Sequence, residues 1–191
     1  MKRALITGAL AIAGTALLAP SLGAQRPCSA DTARTRFERF VSAPGAAISD
    51  QSRQIADLTS ESTGTRVRVL ARAAADAVST KTVKALAFVV SGRPLEVRTA
   101  VVDAADLPAL HRVLTAFETA RAAGVAHDTR QKYTTPGGLE IETFWEGKQR
   151  AVAVTRTGSC PMSAYLDESA LAQLRDAVGA GIAVLDSLGH R

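Results

Sequence analysis

Three arginines recur in the segment Arg66-Val67-Arg68-Val69-Leu70-Ala71-Arg72. In an extended chain successive side chains alternate between faces, so Arg66, Arg68 and Arg72 share one. A row of guanidinium groups suits an acidic ligand, a polysaccharide or a lipid head group. Glu140 and Glu142 share a strand face in the same way, about 7 Å apart. Such a pair suits acid–base work or a cation. It equally suits a solvated sheet face, or ion pairs with the arginine row. Trp145 is the single tryptophan and adjoins the turn at Gly147. It fits the edge of a core or a surface on which a ligand stacks.

Other constellations are poorer. Gly158-Ser159-Cys160-Pro161 lacks the second glycine of a nucleophile elbow and precedes a strand. Cys160 as a nucleophile would need a distant histidine. His111, His127 and His190 are scattered, and none begins an H-x-x-x-H, so no metal centre is expected. Gly137-Gly138 follows Pro136 without the Lys and Ser/Thr of a phosphate loop. No catalytic residue and no cofactor are assigned.

The compartment is more legible. Met1-Lys2-Arg3 is a basic start, Ala4 to Leu18 carries no charge, and Pro20-Ser21-Leu22-Gly23-Ala24 is a small-residue cleavage region. This pattern predicts a secretory signal peptide over residues 1–24. The uncharged run is shorter than the ~20 residues that a spanning helix needs, and no lipobox precedes Cys28. A periplasmic or extracellular protein with no transmembrane anchor is therefore expected. Export would remove Lys2 and Arg3 from a chain of net charge +5. The remaining excess is ordinary and does not call for nucleic acid or an anionic membrane. In an oxidising compartment the two cysteines, Cys28 and Cys160, are expected to form a disulfide.

These residues must be positioned by an α+β architecture. Residues 25–47 read as a tail and a short N-terminal helix, Asp31 to Val41, ended by Pro44-Gly45. Ile48 to Leu58 fits helix or strand by its apolar positions, and the turn that follows favours strand. Arg66–Arg72 alternates, Thr82–Val90 is almost continuously apolar, and Leu95–Val102 returns after the turn at Gly92 and Pro94. Asp103 is placed to cap a helix whose stripe is Leu107, Leu110, Leu114 and Phe117. The plan then repeats. Thr129–Thr135, Leu139–Trp145, Gln149–Arg156 and Cys160–Leu166 read as strands. Asp167 starts a helix with Leu171, Leu174, Val178, Ile182, Leu185 and Leu188 on one side.

An ungapped shift of 64 residues lays Lys84 on Lys148, Ala87 on Ala151, Asp103 on Asp167, Leu107 on Leu171 and Leu110 on Leu174. The Gly147 turn leaves the strand register open by two residues, which preserves the faces. Two strand-rich repeats are expected, 48–124 and 125–191, each of about four antiparallel strands closed by a helix packed on the sheet. The seam between them is the first place to look for a ligand.

Four strands then a helix, twice over, resembles the layout of the PC4, PUR and Whirly group of single-stranded nucleic-acid binders. Tyr165-Leu166-Asp167-Glu168-Ser169-Ala170-Leu171-Ala172-Gln173-Leu174-Arg175 is similar to the strand-to-helix corner of that group. The resemblance implies a fold and, by analogy, nucleic-acid binding. Export and the lack of an aromatic row argue against nucleic acid here. The expected function is a non-catalytic binding or interaction module of the cell envelope, with an envelope partner or a second copy of itself. The alternative is a small secreted hydrolase using Cys160 or the Glu140/Glu142 pair.

Overall fold

The computed structural model describes residues 35–92, 96–123, 129–146 and 149–188. The predicted signal peptide, Cys28, His127 and His190 lie outside them. The first unit runs α1 (Arg36–Val41), β1 (Ile48–Thr59), β2 (Arg66–Asp76), β3 (Thr82–Ser91), β4 (Val97–Asp103), a 3-10 turn (Ala104–Asp106) and α2 (Leu107–Ala122). The second runs β5 (Gln131–Thr134), β6 (Leu139–Glu146), β7 (Gln149–Arg156), β8 (Met162–Asp167) and α3 (Ala170–Ser187). Each unit is an antiparallel sheet whose strands pair in chain order. The protein is α+β, built of two similar strand-and-helix units behind a short helix. No described helix is long and apolar enough to cross a membrane.

Local sequence explains the elements. β2 alternates because Val67, Val69 and Ala71 face the core while Arg66, Arg68 and Arg72 face out. β3 is continuously apolar because both its faces are covered. Leu86, Phe88 and Val90 enter the main core, and Ala85 lies under α1. β1 gave a mixed signal for a physical reason. A bulge between Gln54 and Ala56 leaves Ile55 as an extra residue and reverses the faces beyond it. Ile48 therefore meets α1 on the outer face, whereas Leu58 enters the main core.

One core joins the units. Val67, Val69, Leu86 and Phe88 of the first sheet share it with Leu139, Ile141, Val152 and Val154 of the second. The helical stripes match at the 64-residue shift: Leu107, Leu110 and Leu114 are as buried as Leu171, Leu174 and Val178. α3 packs on α2 and also against β1, β2 and β3 of the first unit. A Cβ on Gly181 would lie 2.7 Å from the Leu86 methyls, so the glycine lets helix and sheet approach closely. The core thus depends on the second unit's helix packing on the first unit's sheet.

Two expectations change. Asp103 does not cap the helix after it. Its carboxylate accepts hydrogen bonds from the N–H groups of Arg36 (2.7 Å) and Phe37 (2.9 Å), so it docks α1, whose start is a center of positive charge. Asp167 ends β8 rather than opening α3, which Ser169 precedes. The ungapped shift also fails outside the fourth strands and helices. Ala85 faces Asp103, but the residue facing Asp167 is Ala151. The third strands are therefore offset by two more residues, and Lys84 corresponds to Arg150, not Lys148. Likewise Leu86 pairs with Ala71, and Val152 pairs with Thr143, so Thr65 corresponds to Gly137. Shorter turns in the second unit absorb the difference.

Candidate functional site

The charges singled out in the sequence fall on two separate sheets, and Arg66, Arg72, Glu140 and Glu142 are each paired within their own. Arg66 is paired with Asp57, its Nε donating at 2.5 Å. That bond holds the Asp57 carboxyl below its ordinary range. Arg72 pairs with Asp50 and lies 4.9 Å from the center of the Phe37 ring. Arg68 stands beside them, opposite Asp57. Glu140 is held by Lys132 at 2.8 Å and Thr134 at 3.1 Å, and Glu142 by Arg130 at 3.3 Å. The hydrogen bond that Lys132 donates to Glu140 raises the Lys132 pKa. Cross-sheet pairing between the arginine row and the glutamates does not occur, because each set has nearer counterions on an adjacent strand.

Cys160 is half-buried in the connection between β7 and β8. His111 lies at the contact of α2 and α3, its ring 3.4 Å from where a Gly179 Cβ would sit. Among the described residues no three His, Cys, Asp or Glu side chains gather as a metal site.

The seam is built by equivalent contacts in both directions. Thr65 ends the β1–β2 turn and engages the edge of β8: its hydroxyl donates to the Tyr165 carbonyl at 2.9 Å and accepts from the Tyr165 N–H at 3.1 Å. Gly137, the corresponding residue of the β5–β6 turn, touches β4 at Val101, the residue corresponding to Tyr165. A Cβ there would lie 1.9 Å from the Val101 carbonyl oxygen. Each unit's first turn thus covers the other unit's edge strand, which would otherwise leave backbone groups unpaired.

Beside the Thr65 contact is a crevice of about 110 Å³. Ser60, Ser62 and Thr63 line it from the first unit, and Arg150, Tyr165 and Asp167 from the second. Arg150 is 7% exposed. Its Nε and Nη2 are buried and meet no acceptor among the described residues. The guanidinium stands 5.5 Å from the center of the Trp145 ring. Asp167 is exposed, and its carboxylate holds neither an ion pair nor a hydrogen bond among those residues. Ser60 and Ser62 share one hydroxyl hydrogen bond at 2.9 Å, which leaves one hydroxyl proton over.

Of the residues chosen by sequence, only Trp145 borders this place. Arg150 carried a readable signal, being in phase with the core residues Val152 and Val154. A charged side chain on the apolar face of a strand is rare without a partner. The serines gave none, since a Ser/Thr-rich turn reads as a loop. In sequence comparisons the chain matches no protein-family model and no curated protein.

Proposed function

We propose that this chain is an exported, non-catalytic binding protein of the cell envelope whose ligand enters the seam crevice. The observation that carries this reading is the crevice itself. Both units contribute polar residues to it, and the two charged ones, Arg150 and Asp167, have no ion-pair partner among the described residues. By contrast, Arg66, Arg72, Glu140 and Glu142 on the open sheet faces are ion-paired, and the two glutamates, on which a hydrolase would draw, both have cationic partners. Export rests on the basic, apolar and small-residue order of residues 1–24, and the Cys28–Cys160 bridge follows from that compartment.

Expression of the full chain in a secreting bacterial host tests both halves of the reading. The recovered soluble protein should begin at Ala24 or Gln25 and show no free thiol on denaturing alkylation. Its melting temperature should rise with at least one member of a panel of small anions, neutral sugars and short peptides. An intact Met1 in the membrane fraction would overturn export. Turnover of ester or amide substrates, with no ligand raising the melting temperature, would overturn the binding reading in favor of the hydrolase.

A further inference from the structure

We infer that the seam crevice is an oxyanion site: Arg150 binds the carboxylate or phosphate group of a small ligand, with the Ser60/Ser62 hydroxyls as second donors. The inference rests on the binding reading above and names the chemistry of its ligand. An arginine stays charged in any protein setting. Burying it costs several kcal/mol unless a counter-charge and hydrogen bonds compensate. Arg150 has the burial without a counter-charge: its ring contact is Trp145, two guanidinium nitrogens face no acceptor among the described residues, and no described carboxylate pairs with it. The other buried arginine, Arg156, donates to the Thr99 carbonyl at 3.3 Å.

The corresponding position in the first unit sharpens the point. Lys84 donates from Nζ to the Leu185 carbonyl at 2.6 Å, the last turn of α3, where a cation is favored. Among the described residues no helix end accepts a hydrogen bond from Arg150. Its planar fork suits a two-oxygen acceptor, and the free proton of the Ser60/Ser62 pair supplies another donor. The crevice, about 110 Å³, has room for a group of carboxylate or phosphate size. Asp167 at the rim bears the same charge as the ligand. It limits the affinity and leaves the buried end of the crevice as the anion position.

Trp145 gives a direct readout, because it is the chain's single tryptophan and Arg150 stands on its ring. The mature protein is titrated with inorganic phosphate, sulfate and acetate at constant ionic strength, with chloride as the control. Trp145 emission should change saturably with phosphate or acetate and not with chloride. Phosphate without acetate would identify a phosphate group as the recognized moiety, acetate without phosphate a carboxylate. Arg150→Met should weaken binding about tenfold or more, and Arg150→Lys, which keeps the charge but loses the fork, should weaken it less. Asp167→Asn should tighten it. If Arg150→Met does not fold, Arg150→Lys and Asp167→Asn still decide. No saturable change up to about 50 mM, a chloride effect of equal size, or unchanged affinity in the arginine variants would overturn the inference. A neutral ligand that binds regardless of Arg150 would overturn it while leaving the binding reading intact.

Discussion

The two units place the same positions in the same geometry and use them differently. In the first, Lys84 caps the end of α3 and Asp103 holds the start of α1. The cavity of about 300 Å³ beside them is lined by Arg36, Val83, Lys84 and Asp103 and is mostly apolar. In the second, Gln149, Arg150 and Asp167 occupy the corresponding places around a smaller, polar crevice, and neither charge is ion-paired among the described residues. The outer faces differ in the same sense. Val101 is 4% exposed under α1, while its counterpart Tyr165 is 46% exposed and meets Phe144 edge-on at 6.2 Å. One unit has spent its polar positions on assembly. The other leaves Arg150 Nε and Nη2 and the Asp167 carboxylate without hydrogen-bond partners among the described residues.

The largest effect expected from breaking this comparison is at the paired turns. Gly137→Ala places a methyl inside the Val101 carbonyl, which cannot move without disturbing β4. It should destabilize by about 3 kcal/mol or more in denaturant melts, the upper end of overpacking. Thr65→Ala removes only hydrogen bonds at the corresponding contact and should cost about 1 kcal/mol. Equal effects would mean that the two contacts are not counterparts.

The buried cations give the next contrast. Lys84→Met removes a charge-assisted bond to the end of α3 and should cost about 1–2 kcal/mol. Arg150→Met removes a charge that has no acceptor, so its melting temperature should hold or rise. A loss of stability in Arg150→Met as large as in Lys84→Met would show that Arg150 is structural.

The aspartates should differ least. Asp103→Ala frees the start of α1 and should cost about 0.5–1 kcal/mol. It should appear as faster amide exchange over Arg36–Val41, with little change elsewhere. Asp167→Ala should leave both stability and exchange unchanged, since its carboxylate holds no hydrogen bond or ion pair among the described residues. Protection of α1 that survives Asp103→Ala would remove docking as the difference between the units.

The chain's local order was legible because strands and helices repeat every two and 3.6 residues, and a window of sequence carries those periods. The alternation of Arg66–Arg72, the leucine stripes after Asp103 and Asp167, and the strand order of both sheets all follow from it. The arginine row and the Glu140/Glu142 pair were correctly placed on strand faces. Their partners were not foreseeable, because Asp57, Asp50, Lys132 and Arg130 depend on strand register. Register also decided that Lys84 answers to Arg150: turns of unequal length shift pairing by two without changing any face. The crevice lies further beyond sequence, since Ser60 and Arg150 meet only when the β1–β2 turn of one unit reaches the β8 edge of the other. Periodicity carries the face on which Arg150 lies, and only the packing of distant segments decided that its Nε and Nη2 find no acceptor there among the described residues.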